Sequence, residues 1–376
     1  MKYSLITIVL LALAGILQLQ AADSPDKTWK YVDSEDLRII NKGFGDSERT
    51  YSRFPAWLKD SVRKELWDRQ AESAGMGIRF ATNSSRIGAR YHLLRNGHML
   101  HMADTGLKGS DLYILEGDSV WRHVNTNRPA VNNDTDKMCE TTYVSNLDTT
   151  VMREYMIYFP LYDGILDFEV KVDSNAKITA GNPEVIRPDG RILCYGTSIM
   201  QGGCASRTGM AASNILSRRL NREVINLGFS GQGKMDFPVA RAIAQVPDLD
   251  LIILDPVPNC TEMMCDTLTY DFVKIIRDAR PDVPILMVEG PIYPYARYDS
   301  YFGNYLPKKN AAFRRNYERL KAENPDNLYY IDSINLDGPE DDGTVDGIHL
   351  TDLGFMHYAD KLYPVIVGIL NETRNR

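Results

Sequence analysis

What this 376-residue chain lacks narrows its function early. Its five cysteines, Cys139, Cys194, Cys204, Cys260 and Cys265, are an odd and sparse set with no C-x-x-C pair and no Cys/His ligand spacing. That excludes a disulfide framework and a structural zinc site, and leaves one local bridge, Cys260 to Cys265, or simply buried thiols. Basic residues are not in excess, since 43 Lys and Arg stand against 50 Asp and Glu for a net charge of −7. An acidic surface repels nucleic acid and anionic membrane, so neither is expected as a partner. Beyond residue 22 there is no apolar stretch of spanning length, and no membrane anchor is expected. Internal repeats and low-complexity tracts are also missing.

The first 22 residues carry Lys2, an apolar run from Leu5 to Leu17 and small residues at Ala21 and Ala22. This is the layout of a signal peptide, too short to span a bilayer comfortably. No cysteine follows the expected cleavage point, so a lipid anchor is not indicated. The expected localisation is therefore exported, periplasmic or extracellular. Removing the single Lys2 takes the net charge from −7 to −8.

With 44% hydrophobic residues the remainder can bury a large core, and its patterning changes midway, which predicts two domains. Over 28–186 the pattern is strand-like. Leu166, Phe168, Val170 and Val172 alternate with Asp167, Glu169, Lys171 and Asp173, one face on a core and one in water. Asp111 to Val124 reads as a hairpin around Glu116-Gly-Asp118, and Ser61 to Ala71 as a lone helix. The whole suggests a β-sandwich of jelly-roll type. From Arg187-Pro-Asp-Gly190 onward, over 187–376, short apolar runs alternate with helical segments. Strands are expected at 192–195, 224–227, 251–254, 285–288 and 328–331, with helices at 210–220, 237–244, 268–279 and 310–322. That alternation predicts a flavodoxin-like parallel sheet covered on both faces, with ligands bound at the carboxyl ends of its strands.

At the first of those ends, in Tyr195-Gly-Thr-Ser-Ile-Met-Gln-Gly-Gly203, small residues turn the chain sharply around one hydroxyl, Ser198. Near the C-terminus, Asp346-Gly-Ile-His349 spaces a carboxylate to hold one ring nitrogen of a histidine while the other faces a serine. Oxyanion donors are available after the second and third strands, at Gly231 within Phe229-Ser-Gly-Gln-Gly233 and at Asn259 within Asp255-Pro-Val-Pro-Asn259. Tyr293 to Tyr305 is dense in aromatics, suited either to stacking on sugar rings or to packing the loop down, and Arg297 within it could hold a polar group. His98 and His101 are expected to be turn or strand histidines, because on a strand they point to opposite faces. No metal and no organic cofactor is expected. No pair of carboxylates stands out as a glycosidase pair.

These blocks resemble, in order, those of the SGNH, or GDSL-like, hydrolase superfamily: Gly196-Thr-Ser198, Gly231, Asn259 and Asp346-x-x-His349. The resemblance spans roughly Arg187 to Leu370 and departs at Thr197, where the family usually has aspartate. Gly109-Ser-Asp-Leu-Tyr113, Tyr51-Ser-Arg-Phe-Pro55 and Ser73 to Phe80 resemble the GxDLY-type sandwich that precedes this hydrolase in exported proteins of Bacteroides-type bacteria. The resemblance implies a carbohydrate esterase: Ser198 as nucleophile, His349 as base, Asp346 orienting it, and Ser198 N–H, Gly231 N–H and the Asn259 amide holding the oxyanion. Its implied substrate is an acylated, above all acetylated, glycan or another small ester. A lipase or thioesterase on the same machinery, and a glycan-binding protein without catalysis, stay open at this stage, as does the oligomeric state.

Overall fold

The computed structural model describes residues 28–129, 137–186, 190–336 and 338–374. The expected signal segment 1–22 lies outside the described residues, as does 187–189 of the expected junction. Before residue 180 run β1 (Trp29–Asp33), β2 (Arg38–Ile40), β3 (Gly77–Thr82), β4 (Ile87–Leu93), β5 (Asp111–Glu116), β6 (Val120–Thr126), β7 (Met138–Val144), β8 (Arg153–Tyr158), β9 (Ile165–Asp173) and β10 (Ile178–Thr179). They pair antiparallel into two sheets, β1-β9-β4-β7 and β10-β3-β8-β5-β6, with β2 also on β3. Inward side chains of both sheets, among them Phe80, Tyr91, Ile157 and Phe168, form one core, which makes the jelly-roll-like sandwich. The 111–124 hairpin is β5 and β6, and the expected helix is Lys64–Gln70, which is not alone in this half, since a short second helix runs over Asp104–Leu107.

Two details of β9 differ from the alternation. A register shift pairs Leu93 with Ile165, so Ile165 takes the inward place and Leu166 is left 50% exposed. Lys171 and Asp173, expected in water, are buried. Lys171 bonds Glu140 at 2.6 Å under the Trp29 ring, and Asp173 accepts from Ser84, Ser85 and Arg86. The outer face of β9 is thus covered at this end, and each charge is neutralised by a partner as burial requires.

The second half is a parallel sheet of β11 (Arg191–Gly196), β12 (Val224–Gly228), β13 (Leu249–Asp255), β14 (Ile285–Val288) and β15 (Leu328–Ile331), in the order β12-β11-β13-β14-β15. Counted within the sheet this is 2-1-3-4-5, the flavodoxin-like order, with its switch point beside β11. Alternate residues of β11 serve opposite faces. Leu193 and Tyr195 pack toward helices Phe237–Ile243, Thr269–Ala279 and Ser300–Glu323, whereas Ile192 and Cys194 pack toward Ala212–Leu220 and Asp352–Arg374. Helix Ser300–Glu323 begins ten residues before the expected 310, because Asp299 caps it by accepting from the N–H groups of Tyr301 and Phe302. Half of the aromatic loop is therefore helix.

The two halves share their cores. Phe44, Phe54, Leu58 and Leu66 belong to one cluster of the parallel sheet, and Ala74, Met102, Leu107, Leu161 and Tyr162 to the other. None of the five cysteines forms a disulfide, Cys260 and Cys265 included, and all five are buried.

Candidate active site

The sheet puts three turns side by side: β11 leads to Ser198, and its neighbours β12 and β13 lead to Gly231 and Asn259. Ser198 opens the short helix Ser198–Gln201 and is 6% exposed. Thr197 caps that helix, its hydroxyl accepting from Ile199 N–H at 3.3 Å. The residue that departs from the family pattern thus still supports the turn, with a buried hydroxyl where a carboxylate would have to be neutralised.

Ser198 Oγ lies 3.0 Å from His349 Nε2, and His349 Nδ1 lies 2.8 Å from Asp346 Oδ2. The second carboxylate oxygen of Asp346 accepts from Ile348 N–H at 3.0 Å and His349 N–H at 2.8 Å, so a single turn orients the pair. Partial burial pushes the Asp346 carboxyl up, but bonds from the His349 ring and the two backbone N–H groups outweigh it and hold the carboxyl at about 2. An ionised Asp346 accepts the Nδ1 proton, which leaves the Nε2 lone pair facing Ser198.

Three candidate donors lie on these turns. Ser198 N–H starts its helix and has no acceptor within it. Gly231, at φ +69°, has open space where a side chain would project, and its N–H donates to no described group. Asn259 Oδ1 accepts from Gly233 N–H at 3.2 Å, which fixes the amide with Nδ2 turned the other way. Gly233 is required for this approach, because a Cβ there would lie 2.2 Å from Gly196 O. The expected site residues Ser198, Asp346 and His349 are joined by hydrogen bonds, and Gly231 and Asn259 occupy the adjoining strand ends.

A second layer was not visible in the sequence. Gln201 Nε2 donates to Glu72 at 2.6 Å and to Leu161 O at 2.9 Å, while its Oε1 accepts from Ser230 N–H at 2.8 Å. Glu72 is fully buried and also takes Arg69 at 2.8 Å and Arg95 at 3.2 Å. Arg53, buried beside it over the Phe229 ring, donates to the carbonyls of Glu72, Arg69 and Gly228. Tyr162 Oη donates to Ser198 O at 3.3 Å. Residues of the first half thus hold both the serine helix and the 229–233 turn. The one local signal was the Tyr51-Ser-Arg-Phe-Pro55 block, and nothing in it names its partners.

The aromatic segment divides. Tyr293, Tyr295, Phe302 and Tyr305 pack with Ile348 beside the histidine, whereas Tyr298 and Tyr301 are 89% and 64% exposed. Arg297 is exposed and pairs with Asp341 at the surface. His98 bonds Asp104 at 3.0 Å, while His101 stands beside His349, ring centroids 5.6 Å apart.

Residues 189–367 match the model of the GDSL-like lipase/acylhydrolase family, and 28–178 match that of the N-terminus of SGNH-hydrolase-type esterases. The fold is similar to a crystal structure of a GDSL-like lipase from Bacteroides ovatus, at 33% identity over 92% of this chain and 98% of that one, TM-score 0.84. It is also similar to the salicylyl-acyltransferase SsfX3 of a tetracycline biosynthetic pathway, at 17% identity over 92% and 99% of the chains, TM-score 0.70. A family two carbohydrate esterase from Cellvibrio japonicus matches at 13% identity over 92% and 99%, TM-score 0.55. No curated protein matches.

Proposed function

The chain belongs to the GDSL-like lipase/acylhydrolase family, and from that premise we propose that it is an exported serine esterase that removes acyl groups, acetyl first among them, from carbohydrates. The reading is carried by the 3.0 Å contact of Ser198 Oγ with a histidine whose other nitrogen is held by Asp346. In this reading Ser198 Oγ attacks the acyl carbon as His349 Nε2 takes its proton. The tetrahedral oxyanion is held by the N–H groups of Ser198 and Gly231 and by Asn259 Nδ2. His349 returns the proton to the departing sugar oxygen, leaving an acyl-Ser198. Water, deprotonated by His349, then releases the acid and restores the serine. Residues 28–186 act as the buttress of the catalytic unit 187–376.

The glycan preference is supported by the exposed rings of Tyr298 and Tyr301, on the segment whose Tyr295 packs near Gly347 between Asp346 and His349, and by the carbohydrate esterase among the similar folds. Export is supported by the pattern of Met1 to Ala22, and no helix of the described residues is long and apolar enough to cross a membrane. The test is acid release from p-nitrophenyl esters of graded chain length and from a panel of acetylated polysaccharides, with products read by mass spectrometry. Ser198→Ala is expected to lower kcat/KM on every accepted ester by more than about 10³-fold. Retained turnover by that variant removes the reading, and a preference for long acyl chains replaces the glycan esterase with a lipase.

A further inference from the structure

His101 belongs to the connection between β4 and β5, in a tight turn whose tip, Leu100, is 99% exposed. Its ring faces that of His349 at 5.6 Å and 46°. Cys204 follows the glycines that end the serine helix, at φ +74° and 6% exposed. One ligand atom from each of His101, Cys204 and His349 lies within 4.8 Å of the other two, a thiol and two imidazoles drawn from three separate parts of the chain.

Geometry and chemistry both suit a thiophilic divalent ion. Around tetrahedral zinc, nitrogens at about 2.0–2.1 Å and sulfur at about 2.3 Å stand roughly 3.5 Å apart, so the cluster has to close by about 1 Å. The exposed side chain of His101 can make that movement without disturbing a core. His349 is already set as a ligand, because Asp346 holds Nδ1 and thereby fixes the tautomer and the ring plane, the carboxylate–histidine–metal arrangement. One thiolate with two imidazoles selects zinc or a similarly soft ion over magnesium or calcium.

We propose that His101, Cys204 and His349 form a zinc site that switches the enzyme off. Bonds form from Zn²⁺ to His101, to the Cys204 thiolate and to His349 Nε2. The thiol proton passes to solvent, water or the Ser198 oxygen takes the fourth position, and no oxidation occurs. The lone pair that the metal occupies is the one that takes the Ser198 proton, so bound zinc and acyl transfer exclude each other. The consequence for activity rests on the esterase reading above, but the site itself does not.

The full chain, stripped with a chelator, is titrated with Co²⁺ while thiolate-to-cobalt charge-transfer absorption is followed, and with Zn²⁺ during p-nitrophenyl acetate turnover. The wild type should develop the band and be inhibited by zinc reversibly on chelation. Cys204→Ser should lose the band. In Cys204→Ser and in His101→Ala, each compared with its own metal-free rate, the inhibiting zinc concentration should rise at least about tenfold. No band in the wild type, or inhibition of both variants at the wild-type concentration, overturns the site. If the metal-free wild type hydrolyses no ester, the esterase reading falls while the cobalt band still decides the site.

Discussion

At the scale of single residues, chemistry concentrates where small local motifs meet long-range partners. Asn259 illustrates this: its side-chain oxygen is tied to Gly233 N–H, which fixes the amide whose nitrogen we propose as an oxyanion donor. A preorganised donor acts mainly on the transition state. Asn259→Ala is therefore expected to lower kcat by about 10²–10³-fold with little change in KM, and a loss confined to KM would place the amide elsewhere in the cycle. A second residue, Asp255, closes β13 fully buried; desolvation raises it from 3.8 to about 8, opposed only in part by the Tyr358 hydroxyl at 2.8 Å. Between those two values the folded chain keeps a proton that the unfolded chain has released, so the contribution to stability is complete below the lower value and lost as pH rises through the upper one. In urea unfolding, Asp255→Asn should gain on the wild type by at least about 1 kcal/mol between about pH 5 and about pH 8.5; parallel pH profiles would refute the assignment. Ser198, Asp346 and His349 could be read from sequence because each lies in a motif of a few residues. Glu72 could not, since its ligands Arg95 and Gln201 come from 23 and 129 positions away.

At the scale of elements, the parallel strands were legible to within two residues at either end, because a strand buried on both faces is a continuous apolar run. The antiparallel half was less so. Leu166 reads as a core residue by alternation, yet a one-residue shift in pairing, which no pattern in β9 alone reveals, expels it. The early start of helix Ser300–Glu323 was hidden by its own composition, since tyrosines, Gly303 and Pro307 weaken a helical reading that the Asp299 cap restores. The four-residue helix after Ser198 is too short to stand by itself. Gln201 ties it on one side to Glu72 and Leu161 O, and on the other to Ser230 N–H, one residue before the proposed donor Gly231. Gln201→Ala removes all three bonds, and a displacement of the order of 1 Å at reacting groups costs about 10²-fold in rate. The variant should fold, lose kcat by about that factor and keep KM within about threefold; unchanged kcat would reduce Gln201 to a packing residue.

For the whole molecule, the sheets divide near residue 190 but the hydrophobic cores do not. Phe54 packs on Phe229 with ring centroids 4.5 Å apart and planes tilted by 40°, and Arg53 spends its guanidinium on carbonyls from both halves, including Gly228 at the end of β12. From the other side, Asp111 of the sandwich receives Arg207 at 2.7 Å and Gly209 N–H at 2.8 Å, which pins the connection behind the serine helix. Sequence reading placed a domain boundary where the periodicity changes, but periodicity reports on secondary structure and carries no record of which apolar faces meet. Sharing a core couples stability, so both halves should unfold in one calorimetric transition. Arg53→Lys should shift that transition: an ammonium cannot span carbonyls set for a planar fork, and the groups it leaves buried and unpaired cost about 2–4 kcal/mol. A fragment comprising only 187–376 would expose Ile225, Leu227 and Phe229, all buried in the full chain, and is expected to be insoluble or without esterase activity. Two separated transitions, or a soluble and fully active fragment, would mean that the sandwich is an appendage. The bonds to Arg53, Glu72 and Tyr162 predict the opposite, because the geometry around Ser198 is completed only when the sandwich is in place.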